Sequence, residues 1–487
     1  MRVNTRPRGQ SQAEVPGTQP GAAARIPQGI PGNAEEVAPG RRPAAVIYID
    51  PAEGQNESHR SVHWLSSELN CILPKTGDGP MAGIYDSKLS TRVDFPARAR
   101  AVASIPSLLL LNSYLRNSTF SRRQHEPGIC DFTLGNPHQM PQEAYVAALR
   151  DQLEPRNELW FAYKSNGVEA QQAAAASLER LLEIPFEPED IHLTTGGFTA
   201  IAMALKAVAD PGDEVIYSLP PWFLYEPILT EAGLVPVKVR INTDTFDLDL
   251  AAIASAITPR TRVVIVNTPN NPTGRIYPPA LLVKLAAMLD LASEKNGRRI
   301  YLLSDEAYNR IVYDGARFHS PAEYYPHTLL AYSYGKTHLA PGQRMGYLAL
   351  PPTMPDRDAL REILGALQVA LGWIYPNALL QYALPALETF SIDVGQLQRK
   401  RDRLYGELTG MGYQLHRPEG SFYLFVRSPV PDDEAFTESL ATRDVFVLPG
   451  TLFETPGFFR ISLTANEEMV ERSLPAFEET IRHAEVG

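Results

Sequence analysis

Several things are scarce in this 487-residue chain, and each shortage excludes a class of function. There are two cysteines, Cys71 and Cys130, with no CxxC pair and no His/Cys cluster at ligand spacing. That speaks against a disulfide framework and a structural zinc site, and it fits a reducing compartment. Long apolar runs are missing too. The stretch IPSLLLL falls far short of the ~20 residues a membrane span needs, and the opening MRVNTRPRGQSQ has no apolar core of signal-peptide length. A soluble, cytoplasmic protein is expected. Positive charge is short as well: 45 Lys+Arg against 56 Asp+Glu leave a net charge of −11. Such a surface repels polyanions, which argues against a general nucleic-acid or anionic-membrane binder. What remains is an ordinary globular composition, 44% hydrophobic and 21% charged, in a chain long enough for two or three domains.

Residues 1 to 45 are rich in Pro, Gly, Ala and Gln with almost no apolar periodicity. Such a segment buries too little surface to offset its ordering entropy, so a loosely attached, partly disordered tail is expected. Short apolar pieces, AAVIYID and SVHWLSSELNCIL, follow up to about residue 95. From Pro96 the texture changes. ARARAVASIPSLLLLNSYLRN reads as helical with an interruption at Pro106. Beyond DFTLGNP, Val/Ile/Leu-rich runs recur: DEVIYSL, VPVKVRI, RTRVVIVN, RRIYLLS, TLLAYSY and MGYLAL. Amphipathic stretches separate several of them, among them PALLVKLAAMLDLASEKNG with its helix-stopping Gly297. Buried strands alternating with helices indicate an α/β fold with a mostly parallel sheet. The last hundred residues, with PEGSFYLFV and DVFVLPG, read as a smaller α+β unit.

In open parallel sheets, ligands bind beyond the carboxyl ends of the strands. After IHLT comes TGG, opening the helix TAIAMALKAVA, a turn whose N–H groups suit a phosphate. After RTRVVIVN comes TPNNPTG; after RRIYLLS come Asp305, Glu306 and Tyr308; after TLLAY come Ser333 and Lys336. Taken singly, each is an ordinary turn or a strand-end carboxylate. Four in a row at strand ends form a pattern. A lysine that bonds to an aldehyde cofactor needs a carboxylate for the cofactor's ring nitrogen, donors for its phenolic oxygen, a phosphate cup and an aromatic to stack on it. Candidates for each are present.

With those motifs in order, the chain resembles the class I/II aminotransferases of the fold-type I pyridoxal-phosphate enzymes, over roughly residues 96 to 480. The resemblance implies a large α/β cofactor domain over 150–375 and a smaller domain built from 96–149 and 376–487, with residues 1–95 as an N-terminal extension. It implies pyridoxal 5′-phosphate bound through Lys336, with Ser333 and Arg344 on its phosphate, as in SYGKTHLAPGQRMGY. Gly197 and Phe198 of TTGGFTA would give backbone N–H groups to the same phosphate. Trp222 of LPPWFLYEP would stack on the ring, with Phe223 as the alternative. Asn271 and Tyr308 would bond the phenolic oxygen, and Asp305 the ring nitrogen. Gly135 of DFTLGNP and Arg460 of FFRISL would meet the substrate carboxylate, and Tyr163 of YKSNG would reach the phosphate in a neighbouring subunit, implying a homodimer with shared sites.

The activity implied is transamination between an amino acid and a 2-oxo acid. The same apparatus supports β/γ-elimination, replacement or C–C bond-forming annulation, and the extension keeps that alternative open. No second arginine for a dicarboxylic side chain is identifiable, so aspartate or glutamate specificity is not supported. A transcription regulator with an aminotransferase-like domain is the third reading. The first hundred residues carry 12 Lys/Arg against 10 Asp/Glu and no helix-turn-helix pattern, a poor DNA-binding footprint.

Overall fold

A run of residues that is apolar on both faces is stable as a strand only where helices cover both sides of its sheet. In the computed structural model, which describes residues 95–486 and the strand backbones Val46–Ile49 and Val62–His63, the branched runs do fold this way. The expected tail over residues 1–45, and Cys71, lie outside the described residues. Nine strands form one sheet, in the order Val62–His63, Val46–Ile49, Val235–Arg240, Glu214–Leu219, Thr261–Asn267, Tyr301–Asp305, Thr328–Ser333, Gly346–Ala349 and Ile191–Thr194. From Val46–Ile49 to Thr328–Ser333 the neighbours pair in parallel. Gly346–Ala349 runs antiparallel to both of its neighbours. Val62–His63 pairs antiparallel with Val46–Ile49, so part of the N-terminal extension prolongs the main sheet.

The two-residue period of a strand sorts the core. Val263 and Ile265 pack on one face with Ala204 and Leu205 of the helix Gly197–Val208. Val264 and Val266 pack on the other with Leu285 and Leu289 of the helix Pro279–Asn296. That second helix ends at Gly297 with φ +60, the left-handed cap its sequence promises. Pro106 does not kink one long helix. It opens a second, Pro106–Asn117, after the shorter Ala97–Ala103, because a first-turn proline gives up no hydrogen bond.

The C-terminal part forms an antiparallel sheet of Tyr423–Arg427, Phe458–Ser462 and Leu448–Pro449. Beside it Val445–Phe446 pairs in parallel with Cys130–Asp131, so chain segments far apart in sequence share one core, with Phe132, Phe422, Phe459 and Phe477 at its centre.

Two buried histidines make this fold sensitive to acid. His192 and His338 are 4% and 3% exposed, and burial pulls each imidazole down from 6.5 to about 4. His338 sits among the rings of Tyr145, Tyr334 and Phe390, and both its nitrogens are buried without a hydrogen-bond partner among the described residues. Below pH 6.5 the unfolded chain takes up protons that the folded chain refuses, so stability falls as the pH drops from 6.5 towards 4. Each ring accounts for up to about 3 kcal/mol. We expect the urea midpoint to drop over this window and His338→Phe to flatten the drop. An unchanged slope for His338→Phe refutes the assignment.

Candidate active site

Three adjacent parallel strands end side by side, with Asn267 in register with Asp305 and Asp305 with Ala331. Asn267 ties the first two ends together: its Nδ2 donates to the Asp305 carbonyl at 2.9 Å, and its Oδ1 accepts from the Asn271 N–H at 2.7 Å. The TPNNPTG turn is thereby anchored to the neighbouring strand. Asn270 braces it from within, accepting from the Thr273 N–H and hydroxyl at 3.1 and 2.9 Å.

Asp305 is buried, 6% exposed, and has no basic partner within salt-bridge distance among the described residues. The Tyr225 hydroxyl donates to its Oδ2 at 2.6 Å. Burial raises the Asp305 carboxyl above the usual range, and the Tyr225 bond and the charge of Lys336 pull against that rise. Trp222 packs edge-on against both Tyr225, at 5.4 Å, and Phe198, at 5.3 Å. Phe223 turns elsewhere and joins Phe453, 5.5 Å away, in a separate apolar cluster.

Beside this slot lies a cup. The first helical hydrogen bonds of Gly197–Val208 begin at the Thr199 and Ala200 N–H groups, so those of Gly197 and Phe198 precede the ladder. Gly196 has φ +99, and a Cβ there would lie 2.5 Å from Arg344 Nη2; a Cβ at Gly197 would lie 3.2 Å from that of Ser333. The helix N-terminus, Ser333 and Arg344 therefore converge. Arg344 donates to the Pro341 carbonyl at 2.7 Å and has no carboxylate partner among the described residues.

Lys336 lies in the short helix Tyr334–Thr337, directly after the strand ending at Ser333. Its Nζ is 5.7 Å from the Tyr308 ring centre and 5.6 Å from that of Phe422, and it makes no hydrogen bond or ion pair among the described residues. Arg460, 2% exposed, also lacks a carboxylate among those residues. It donates to Asn271 Oδ1 at 2.9 Å and to the Thr133 carbonyl at 2.7 Å, while its Nε is buried without a partner. The Tyr423 and Phe453 rings lie 4.0 and 4.8 Å from its guanidinium carbon. Burial lowers the pKa of this cation, as expected of a charge withdrawn from water. Gly135 leaves the room this arrangement needs: a Cβ there would come within 2.7 Å of Tyr423 Oη and 2.9 Å of Phe422.

A family model described as "Aminotransferase class I and II" matches residues 128–477. The chain belongs to the class I and II aminotransferases. The class is generally pyridoxal-phosphate-dependent, and this aminotransferase is accordingly a transferase enzyme. It is 32% identical to the aspartate/prephenate aminotransferase of Thermus thermophilus, over 72% of this chain and 91% of that protein. It is 30% identical to the alanine aminotransferase of Mycobacterium bovis, over 67% and 79%. Its fold matches the solved amino transferase from Eubacterium rectale with a TM-score of 0.74 at 29% identity, covering 80% of this chain and 99% of that one. The fold of the aminotransferase is thus fold type I, as its motifs imply.

One candidate stands apart from the cleft of its own chain. Tyr163 is 90% exposed and touches Trp373, with ring centres 5.5 Å apart. Two cleft residues, Tyr225 within LPPWFLYEP and Tyr423, carry no role in the motif reading. Tyr225 follows Trp222 by three positions, a spacing that could have suggested a shared helical face. Tyr423 lies inside PEGSFYLFV, where strand alternation alone does not separate a site residue from a core residue.

The cup's tolerance is testable. A Cβ at Gly346 would lie 2.4 Å from the Tyr332 carbonyl oxygen and 2.7 Å from the Gly196 carbonyl carbon, both backbone atoms, whereas one at Gly342 meets nothing within 4 Å. We expect Gly346→Ala to cost about 1–3 kcal/mol in urea unfolding, and Gly342→Ala much less. Equal costs for the two refute the packing described.

Proposed function

We propose that this aminotransferase moves an amino group between an amino acid and a 2-oxo acid, with pyridoxal 5′-phosphate held in the cleft and bonded to Lys336. The observation that carries the reading is a set of groups in one cleft that go unmatched among the described residues: a lysine amine with no hydrogen bond or ion pair, a buried carboxylate with no salt-bridge partner, and two arginines with no carboxylate. A ligand carrying a phosphate, a basic ring nitrogen and an aldehyde answers all but one of them. A substrate carboxylate answers the last.

In this reading Ser333, Arg344 and the Gly197 and Phe198 N–H groups hold the phosphate. Trp222 covers the ring, while Asp305 pairs with its nitrogen and is thereby kept ionised against the pull of burial. Asn271 spends its amide oxygen on Arg460, which leaves the amide nitrogen to donate to the phenolic oxygen beside Tyr308. Pyridoxal phosphate supplies an aldehyde that exchanges amines and a ring that draws electrons from the amino acid's α-carbon. Arg460 and the space at Gly135 receive the substrate carboxylate, which fixes the α-carbon within reach of Lys336. Lys336 Nζ, freed by the incoming amine, would take the proton from the α-carbon and deliver it to the cofactor's C4′ carbon, and the second 2-oxo acid would run the same transfer in reverse.

The domain limits 96–149 with 376–487, and 150–375, follow the family reading. So does a homodimer, supported by the exposed side chains Leu159, Phe161 and Tyr163 and the groove that Phe161 and Tyr163 line with Trp373 and Tyr375. A cytoplasmic location in biosynthesis fits the low cysteine count. Among the described residues no helix is long and apolar enough to cross a membrane. The Thermus relative's name nominates aspartate and prephenate as the first donor and acceptor to try.

Borohydride reduction of the loaded protein followed by peptide mass spectrometry should find the cofactor's mass on Lys336. Lys336→Ala should lose turnover, and Arg460→Lys should raise KM for the amino acid about 10–100-fold, because a single ammonium replaces a two-pronged donor. Label on another lysine refutes the reading. Sharing of sites has its own check. Lys336→Ala and Tyr163→Ala chains co-expressed in equal amounts should recover about a quarter of wild-type activity, since half the dimers then carry one intact site. Recovery no greater than that of the separate variants refutes shared sites.

A further inference from the structure

Lys238 stands inside a largely apolar strand, VPVKVR, and is 2% exposed. Its Nζ donates to Glu226 Oε2 at 2.8 Å and to Glu454 Oε2 at 2.7 Å. Glu226 belongs to the helix Tyr225–Glu231, one residue after the phenol that bonds Asp305. Glu454 comes from the far end of the chain. It follows the short turn Gly450–Phe453, one residue after the ring that lies against Arg460. One buried amine therefore joins the large sheet to a turn of the C-terminal part.

Stability alone is a weak reason for such a cluster. Charged side chains withdrawn from water lose hydration that their mutual attraction barely offsets, and apolar residues of similar size often leave a fold equally stable. What charge-assisted bonds supply is direction, and hence position. The turn is built to pass that position on. The Asp433 carboxylate accepts from the Thr451 and Gly457 N–H groups at 2.8 and 2.9 Å, and the Thr455 N–H donates to the Gly450 carbonyl at 3.0 Å. Closed in this way, the turn moves as one piece, so where Glu454 is held decides where Phe453 lies. Phe453 meets Phe223 at 5.5 Å and the Arg460 guanidinium carbon at 4.8 Å. On another side Arg460 reaches Asn271, in the turn that follows a strand of the same sheet as Lys238. Both sides of the arginine's seat are thus tied to one scaffold.

We propose that Lys238, through Glu454, is a positioning residue that fixes the Phe453 side of the Arg460 seat and so sets how firmly the site grips an amino acid's carboxylate. The proposal rests on the functional reading of Arg460 given above. Removing the Glu454 carboxylate leaves the Lys238–Glu226 pair in place but lets the turn drift from the sheet. Phe453 then shifts from Arg460, and the guanidinium no longer meets the substrate at a fixed angle. Lys336, Asp305 and the phosphate cup are not touched by the change, so the loss falls on binding rather than on proton transfer.

The test is steady-state kinetics of the full chain loaded with pyridoxal phosphate, using L-aspartate or the best donor of a standard amino-acid panel. Glu454→Ala should raise KM for the donor about 3–30-fold, the range for residues that act on a site without touching its ligand. kcat should change by less than about two-fold, the mark of lost binding alone. Glu454→Gln keeps an acceptor for Lys238 without the charge, and its KM should fall between those of the wild type and Glu454→Ala. Adding Glu454→Ala to Arg460→Lys should raise KM by less than the product of the single effects, because both act on one seat. An unchanged KM in Glu454→Ala, a loss confined to kcat, or independent effects in the double variant would each overturn the proposal. If Glu454→Ala does not fold, Glu454→Gln decides, and a wild-type KM there overturns it. A wild type that turns over none of the donors, or an Arg460→Lys chain with unchanged KM, instead overturns the functional reading beneath it.

Discussion

A guanidinium taken out of water is costly unless something repays the lost hydration, and Arg460 is 2% exposed with no carboxylate among the described residues. Two carbonyl-type oxygens and two aromatic faces hold it instead. Those partners come from four separate parts of the chain: the segment at Thr133, the turn at Asn271, the strand that begins with Tyr423, and Phe453. Each must be in place for the charge to be tolerated. The cation is thereby solvated by the protein yet not neutralised among the described residues.

Asp305 is its counterpart. It ends a central strand, beside Asn267, and its one strong side-chain bond is to a phenol rather than to a base. An ordinary salt-bridge partner would have neutralised either residue within the fold itself. Arg310 and Glu388 show the contrast: both are well shielded from solvent, and they neutralise each other at 2.6 Å.

Much of this was legible before any coordinates. The strand runs could be read because a sheet covered on both faces demands unbroken apolar residues, and the turns that follow them could be read because Asn, Gly and Pro have few other uses there. Trp222 and Phe223 are both aromatic, so only spacing to Glu226 and Pro227 puts Trp222 first in the sequence; in the structure Phe223 packs against Phe453. Tyr423 escaped notice because its partners, Tyr308 and Arg460, lie 115 residues before it and 37 after it, and its own strand looks like core. Pro106 was placed correctly as a break, but its role as the first residue of a helix depends on what the preceding residues do. Pairing of Val46–Ile49 with Val235–Arg240 was not visible either, because a short apolar run carries no record of its neighbour.

The pairing of Cys130–Asp131 with Val445–Phe446 has a bearing on how the protein is made. A ribosome releases the first of these strands some three hundred residues before the second, so the early strand has nothing to pair with for most of synthesis. Arg460 emerges later still. The sheet and the lysine-bearing turn can therefore assemble while the end that carries Arg460 is still missing, and the cleft of a nascent chain is not complete until synthesis is almost finished.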